Sequence, residues 1–508
     1  MFKKILKNLG SRKTVNELIE RAKSGSLKKT LNAFDLFVIG IGAVVGTGIL
    51  TIVGTAIKGN ATTPGAGTGI AISMIIAATA CVFSALCYSE IASIIPISGS
   101  VYTYTYATLG EFSALLVGWV LMLNYVIGNI AVSIAWCGYL TQLLKGFSDY
   151  LPNFIINFPI WLRSDIHTMY NMCHEYGFDL HDKVPYLFGK IPFIINLPVI
   201  ALTLVSTLIL IKGIKESARF ASIMVCLNLL MIGSFIVTGG YHIATTKEVF
   251  WSANWITPFY PNGISGIIMG AFMIFFAYIG FDAVSTAAEE TKNPQKDLPI
   301  AIVGTLGFCT ILYILVALVL TGSIPMSDIN ITAPISAALT QIGHEKLSGL
   351  ISLASVCALA SVFLICQLAA TRILYAMSRD KFLPRSLRVL QKKSRTPHVL
   401  TWVVGLVIIV CSLFMDLNIS AELCNYGTFT AFIAICVAVI ILRKKEPDIK
   451  RPFKVPFVPL FPILGIFSCI GLMFYSLREM GHSAYMFIAW VLIGICIYGF
   501  FSYKNLRS

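Results

Sequence analysis

Long apolar segments, separated by connections that carry most of the charged residues, make up nearly all of the chain. An α-helix that crosses the hydrocarbon core of a bilayer needs about 20 predominantly apolar residues. The pattern therefore predicts an all-α integral membrane protein with twelve transmembrane helices. These segments lie near residues 32–57, 67–91, 112–143, 192–211, 218–240, 264–288, 300–321, 348–371, 399–417, 422–442, 456–477 and 484–503.

The basic residues are divided unequally between the two sides that these segments define. If the N-terminus lies in the cytoplasm, 30 of the 38 Lys and Arg residues fall on the cytoplasmic side. An excess of Lys and Arg is typical of cytoplasmic connections, so both termini are predicted to be cytoplasmic. The N-terminal segment carries charge throughout and lacks the apolar region of a signal peptide. The predicted organisation is a cytoplasmic segment at 1–31, a ten-helix core at 32–442, and two further helices with a short cytoplasmic tail at 443–508.

One connection, at residues 144–191, is long and lies on the extracytoplasmic side in this topology. It contains His167, His174 and His181 at seven-residue spacing, with Cys173 beside the second histidine. Seven-residue spacing places the three histidines on one face of a helix, and His and Cys suit transition metals. A metal site and an amphipathic helix at the membrane surface are both open interpretations, and the amphipathic helix is favoured.

Composition excludes several classes of function. Hydrophobic residues make up 57% of the chain and charged residues 12%, so a soluble enzyme of this length could not cover its surface. The net charge of +14 is concentrated on one side of the membrane, which attributes it to topology, so no nucleic-acid partner is expected. The 13 cysteines are odd in number and contain no CxxC pattern, so neither a disulfide framework nor a zinc ribbon is predicted. No cofactor is expected.

The first apolar segment is unusually rich in glycine. Gly40, Gly42, Gly46 and Gly48 fall within nine residues, and glycine weakens a helix. One interpretation is a discontinuous helix whose second half begins near Gly46 and directs free N–H groups at an anion. The other is close helix packing, because Gly42 and Gly46 also form a GxxxG pattern. Glycine content alone does not separate these interpretations.

The sixth apolar segment contains an acidic residue. Asp282 lies in mid-segment beside Gly280, and an ionisable residue at that depth is by default a functional-site hypothesis. A structural acid that a neighbouring helix satisfies is the alternative. The first and sixth segments are equivalent if the first ten spans form two inverted halves of five. Interrupted segments at equivalent positions indicate a transporter binding site.

Two other classes of membrane protein were compared with this interpretation. An integral-membrane enzyme needs converging catalytic groups, but the predicted spans contain no histidine and the chain has neither HExxH nor GxSxG. The chain is therefore predicted not to be an enzyme. A channel is the remaining alternative, and it would show flux without counterflow of substrate.

Several motifs resemble those of a known transporter family. They are Ile41–Ile49, Cys87–Ala92, Pro96–Tyr104, Gly213–Phe220, Phe275–Leu298, Arg372–Asp380 with Leu383-Pro384, and Lys445–Pro456. On these stretches the chain resembles the cationic amino acid transporter family of the amino acid–polyamine–organocation superfamily. The motif that runs from the sixth segment into Glu289-Glu-Thr-Lys-Asn-Pro-Gln295 is highly specific.

The resemblance implies a fold, an activity and a set of site residues. It implies a LeuT-like, five-plus-five inverted-repeat core with two extra helices, and transport of L-amino acids by alternating access. The substrate would bind at breaks in spans 1 and 6. The implied carboxylate site comprises the N–H groups of Gly46, Thr47 and Gly48. The implied ammonium site comprises carbonyls near Gly42, Phe276, Ala277 and Ile279, and Ala43 is a further implied substrate-binding residue. The Phe276 ring would cover the substrate, and Asp282 is in the position of a gate acid.

One position departs from the proton-coupled bacterial members of that family. Their pattern places a Lys in the fifth span, twelve residues after the Glu of the Gly-Ile-Lys-Glu-Ser-Ala motif. Counting twelve residues from Glu216 reaches Asn228, whose side chain cannot titrate. Facilitated uptake or amino acid exchange is therefore favoured over proton symport. Proton coupling stays open through Asp282, on the condition that burial raises its pKa.

The sequence thus predicts an L-amino acid permease of the plasma or inner membrane. Its expected partners are the amino acid and the lipid bilayer, with protons as an open alternative. The substrate side chain, cationic or small and neutral, is not decided by the sequence.

Overall fold

The computed structural model describes most of the chain beyond the N-terminal segment. The described ranges are 31–59, 64–96, 100–147, 159–170, 184–187, 191–212, 218–246, 261–286, 291–379, 396–479 and 481–505, with a few single positions between them. The predicted cytoplasmic segment therefore lies outside the described residues, except for Leu31. His174, His181 and Cys173 also lie outside them, so the metal-site interpretation stays untested.

Helices account for almost all of the described structure, as the hydrophobic pattern predicted. In chain order they are α1 (Ala33–Val44), α2 (Val53–Lys58), α3 (Ile70–Ile94), α4 (Ser100–Thr108), α5 (Glu111–Gly146), α6 (Leu197–Lys212), α7 (Ala218–Thr245), α8 (Gly263–Ile274), α9 (Ala283–Thr286), α10 (Pro294–Ser323), α11 (Pro334–Gln341), α12 (Glu345–Arg379), α13 (His398–Cys411), α14 (Leu417–Lys445), α15 (Leu460–Glu479) and α16 (Gly481–Asn505).

A small hairpin lies in the long connection between α5 and α6. Its strands are β1 (Tyr186–Leu187) and β2 (Ile191–Pro192), which pair antiparallel. Tyr186 is opposite Pro192, and Leu187 is opposite Ile191. The sequence pattern did not predict this hairpin.

Each predicted apolar segment is helical, but the segments differ in length. Among the described residues, eight helices are long and apolar enough to cross a membrane, and a ninth span results if α1 and the bent segment Gly48–Lys58 are counted as one. The apolar helices α6 and α13, and the segment Gly263–Tyr278, are shorter. The chain is thus a multi-pass membrane protein. The count of twelve spans and the inverted repeat remain predictions.

Helix α5 lies at the centre of the bundle. It packs most extensively against α12 and α14, and 83% of its most apolar window is buried. The corresponding share is only 28% for α15 and for α16, which places the last two helices at the periphery. Helix α16 is fixed to α5 by a stacked pair of rings, Trp490 of α16 and Trp119 of α5, whose centroids are 4.5 Å apart. Each indole N–H of this pair donates to the other residue's carbonyl.

A buried charge cluster joins the end of α3 to the end of α14. Glu90 is 1% exposed, and its carboxylate accepts hydrogen bonds from Arg443 Nη2 at 2.6 Å and Nε at 3.0 Å. It also accepts from the Val455 backbone N–H at 2.7 Å, and Arg451 Nε lies 3.5 Å away. Both arginines belong to the basic connection that the charge distribution assigned to topology. The cluster gives them a structural role as well, because a buried carboxylate must be paired.

The described part of the outer connection contacts the turn between α13 and α14. The Ile166 N–H donates to the Leu413 carbonyl at 3.2 Å. The Asp165 carboxylate accepts from the Thr168 N–H at 2.7 Å and from its hydroxyl at 2.6 Å. Burial raises the pKa of Asp165 to about 6, and nearby Asp416 contributes in the same direction. The outer connection is therefore joined to the bundle by the Ile166–Leu413 hydrogen bond, and a buried acid fixes the local turn beside that bond.

Candidate functional site

The first span is broken where its glycines cluster. Helix α1 begins at the capping residue Asn32, whose side chain accepts from the Phe34 and Asp35 N–H groups, and it ends at Val44. After the break at residues 45–47 the helix resumes as a π-helical turn, Gly48–Ile52, which continues into α2. The two halves are bent by 41°. The structure thus has the discontinuity that one interpretation of the glycines predicted.

The sixth span is also interrupted. Helix α8 tightens into a 3₁₀ turn at Phe275–Tyr278, and Ile279 then takes an extended conformation. Gly280 follows with a φ of +121°, a conformation that favours glycine because it lacks Cβ. The chain turns through Phe281 and Asp282 before the short helix α9. A glycine therefore sets the direction of the chain at this break.

The two breaks are in direct contact, and glycines permit the contact. A Cβ atom placed on Gly48 would overlap the Cα atom of Ala277, and one placed on Gly280 would lie 2.6 Å from the Ala43 carbonyl oxygen. Gly48 and Ala277, both predicted site residues, are thereby brought together, and Gly280 is brought against a third predicted residue, Ala43. The remaining predicted residues lie within two positions of these along the chain, apart from Asn228.

Side chains from three other helices bond to backbone carbonyls of the broken segments. The Tyr313 hydroxyl of α10 lies 2.9 Å from the carbonyl oxygens of both Val44 and Ala277. The Asn228 amide of α7 donates to the Val45 carbonyl at 3.1 Å. The Tyr139 hydroxyl of α5 donates to the Leu50 carbonyl at 2.5 Å. Carbonyls freed by a helix break need such donors, because lipid supplies none.

The surroundings of the first break are mostly apolar. The nearest atom to a Cβ placed on Gly42 belongs to Val225 of α7, at 2.5 Å, and the nearest to one on Gly46 belongs to Val362 of α12, at 3.5 Å. Phe276 is buried at the edge of the second break. An apolar wall at this position disfavours the burial of an unpaired charge.

A row of hydroxyls leads away from the first break. Thr47, Thr51 and Thr55 are buried and spaced four residues apart, so they share one helix face. Within the part of the chain that the structure describes, none of these hydroxyls has a hydrogen-bond partner. Thr55 lines a small cavity with Met269 and Met273, which has room for about one water molecule. The row makes this face of the second half-helix polar.

Asp282 lies at the second break and is 9% exposed. Its backbone carbonyl accepts from the Ser285 N–H at 2.9 Å and from the Ser285 hydroxyl at 2.6 Å, which fixes the turn into α9. Its carboxylate is close enough to Tyr125 and Cys366 to interact electrostatically with both. The predicted mid-span acid is therefore buried beside the junction.

The described residues offer no cluster of metal ligands. They contain no group of three or more His, Cys, Asp or Glu residues that could hold a metal ion. The polar groups at the two breaks are instead backbone amides, carbonyls and hydroxyls. Such groups bind small zwitterionic molecules well, because the ends of half-helices carry opposite partial charges.

Comparison with known proteins gives the family. The sequence profile described as amino acid permease matches residues 31–500. The chain belongs to the amino acid permease family. This result confirms the family that the motifs indicated, and the family name points to a transporter.

Relatives align along nearly the whole permease. The methylthioribose transporter of Bacillus subtilis is 40% identical over 98% of this chain and 99% of its own length. The branched-chain amino acid permease BcaP of the same organism is 40% identical over 97% of both chains. The vacuolar cationic amino acid transporter 4 of Arabidopsis thaliana is 33% identical over 87% of this chain and 68% of its own.

Sequence reasoning missed two groups of residues in this permease. Tyr313 and Tyr139 contact the broken helices but occur inside ordinary apolar segments, where tyrosine is a normal buried residue. The threonine row was visible as a four-residue spacing after Gly46 but was not singled out beyond Thr47. The spacing could have indicated a polar helix face.

Proposed function

We propose that this permease carries L-amino acids with neutral, apolar side chains across the cell membrane by alternating access. The observation that carries the proposal is the contact between the two broken spans, at Gly48 with Ala277 and at Gly280 with Ala43. A substrate that binds between the breaks would reach the backbone of both half-helices at once. Opening of the contact on one side and closure on the other would then move it across the membrane.

The two ends of a zwitterion match the two kinds of backbone group at the breaks. The half-helix that starts at Gly48 has a positive dipole end, which suits a carboxylate, and Thr47 and Gly46 adjoin it. The Gly46 N–H donates to the Val44 carbonyl at 2.9 Å, so it would have to leave that carbonyl to bind the substrate. Unwound carbonyls suit an ammonium group. We assign the ammonium to the carbonyls of Gly42, Phe276, Ala277 and Ile279, with Ala43 beside them; these roles are part of the proposal.

The apolar wall supports a neutral side chain. Val225 and Val362 face Gly42 and Gly46, and neither carries a group that could pair with a buried ammonium or guanidinium. Asp282 is a carboxyl group beside the junction, and it could pair with a cationic side chain of the substrate only in its ionised form. The relative named for branched-chain amino acids favours a substrate with a neutral side chain, whereas the relative named for cationic amino acids favours one with a positively charged side chain.

Asn228 supports exchange or facilitated transport over proton symport. Its amide donates to the Val45 carbonyl at the first break, so it occupies a position where a titrating side chain could change the local charge. Asn has no ionisable group, and it therefore keeps the same charge in every step of the cycle.

The topology that we propose with this mechanism has both termini in the cytoplasm, as the distribution of Lys and Arg indicates.

Uptake into proteoliposomes tests the substrate class. We expect leucine, isoleucine and valine to be taken up and to compete with one another, while lysine and arginine compete at least tenfold less well. We expect collapse of a proton gradient to leave leucine uptake unchanged. Preferred uptake of lysine would contradict the neutral assignment, and dependence on the gradient would contradict the inference from Asn228.

A second candidate substrate follows from one comparison. The relative named as a methylthioribose transporter is 40% identical over nearly the whole chain. Methylthioribose has no ammonium or carboxylate, so it would use the hydroxyls of Thr47, Thr51 and Thr55 in place of the zwitterion sites. Labelled methylthioribose belongs in the same panel, and its uptake in the absence of any amino acid uptake would favour this candidate.

A further inference from the structure

Tyr313 occupies a position at which both broken spans can be reached by one side chain. It lies in α10, it is fully buried, and its ring packs against Tyr278 with centroids 5.5 Å apart. Its hydroxyl oxygen is 2.9 Å from the Val44 carbonyl, the last of α1, and 2.9 Å from the Ala277 carbonyl in the 3₁₀ turn. A third helix thus joins the ends of two half-helices.

The hydroxyl cannot satisfy both carbonyls at once. A tyrosine hydroxyl has one proton to donate, whereas each carbonyl oxygen has two lone pairs. Two carbonyl dipoles that converge on one point repel each other unless a donor lies between them. Tyr313 therefore holds the Val44 and Ala277 carbonyls close together. The Val44 carbonyl also accepts from the Gly46 N–H at 2.9 Å, so when the Tyr313 proton is on Ala277 each carbonyl accepts one hydrogen bond and keeps one lone pair for a further donor.

That arrangement is complementary to an ammonium group, which has three donors and a positive charge. We propose that Tyr313 is a positioning residue: it adds the Val44 carbonyl to the ammonium site proposed above, and it fixes this carbonyl beside that of Ala277 in the geometry that recognises the α-ammonium group of the substrate. The inference rests on the proposed function, because it takes an amino acid as the substrate. Through Tyr313, recognition of the ammonium group depends on the contact between the two breaks.

The consequence is specific to one end of the substrate. Without the hydroxyl, the two carbonyls lose their shared donor and separate, so the ammonium no longer meets both. Binding of the carboxylate and of the side chain would be affected less, since Tyr313 bonds to neither the half-helix start at Gly48 nor the wall at Val225 in the described structure. The discrimination between leucine and a leucine analogue without the amino group should therefore decrease.

The test is competition with labelled leucine uptake by unlabelled leucine and by 4-methylpentanoate, which is leucine without its amino group. In Tyr313→Phe we expect the ratio of their inhibition constants to fall about tenfold, which corresponds to about 1.4 kcal/mol. The matched control is Tyr426→Phe, because Tyr426 is also buried but its hydroxyl bonds Ser476 at 2.9 Å, away from the breaks. In the control we expect the wild-type ratio.

A variant that keeps the ring and restores a donor guards against misfolding of Tyr313→Phe. Tyr313→4-aminophenylalanine offers an N–H at the same place, so it must retain most of the wild-type ratio. An unchanged ratio in Tyr313→Phe, or an equal loss in both variants at position 313, overturns the inference while wild-type leucine uptake leaves the proposed function intact. Uptake of no amino acid by the wild-type protein would contradict both.

Discussion

The contact between Gly48 and Ala277 makes a sharp prediction for the smallest possible substitution, Gly48→Ala. The added methyl group would overlap the Ala277 Cα atom and lie 2.9 Å from the Ala277 backbone nitrogen. Backbone atoms cannot rotate away, so the two half-helices must part by roughly 1.5 Å to restore ordinary van der Waals contact. Overpacking of this kind costs about 1–3 kcal/mol, and a displacement of about 1 Å at a site can cost about 100-fold in rate.

We therefore expect Gly48→Ala to lower the efficiency of leucine uptake about 100-fold in proteoliposomes, with a lower unfolding temperature in detergent. The matched control is Gly233→Ala in α7, because no atom lies within 4 Å of a Cβ placed there. That substitution should leave uptake unchanged and stabilise the helix by about 0.5–1 kcal/mol. Wild-type uptake and stability in Gly48→Ala would refute the claim that the two breaks are in contact.

Two further predictions concern the ends of the bundle. Glu90→Gln should lower the thermal unfolding midpoint in detergent by the equivalent of about 2 kcal/mol, because Arg443 and Arg451 lose a buried partner while Arg443 stays partly exposed. Glu446→Gln, at an exposed position beside the same cluster, should have no such effect. Asp165 has a pKa raised to about 6, so its contribution to stability is complete below about pH 4 and is lost as the pH rises through 6. Asp165→Asn should therefore reduce the loss of unfolding free energy between pH 4 and 6.5, by at most about 3 kcal/mol. The measurement is the unfolding midpoint, which should depend less steeply on pH in the variant.

These two predictions have clear contrary results. A Glu90→Gln protein that unfolds at the wild-type temperature would show that the charge cluster does not hold α3 to the end of α14. An unfolding midpoint that declines as steeply in Asp165→Asn as in the wild type would assign the pH dependence to other groups. Asp416, which lies near Asp165 and whose pKa burial also raises, would then be the next group to replace.

The sequence allowed the broken first span to be predicted because glycine acts locally. Four glycines in nine residues weaken any helix, and the bend of 41° occurs where they cluster. Glycine content alone did not distinguish a discontinuous helix from close helix packing. The resemblance to the transporter family favoured the discontinuous helix. In the structure both features coexist, since Gly48 and Gly280 permit close approach at the break itself.

The contacts that depend on the tertiary arrangement could not be predicted in the same way. Glu90 and Arg443 are separated by 353 positions, and no local pattern relates them. Tyr313 resembles any tyrosine in an apolar helix until the carbonyls of two other segments are placed beside it. The number of spans is a further example, because α6 and α13 are shorter than a helix that crosses the bilayer directly.

The central claim is that this permease is a carrier for amino acids that bind between two broken helices. Counterflow of labelled leucine into proteoliposomes preloaded with unlabelled leucine tests it most directly. A carrier that alternates between two faces predicts that internal leucine accelerates entry of the label and drives it transiently above equilibrium. Entry of the label at the same rate with and without internal leucine, or no entry of leucine or any other amino acid, would contradict the account.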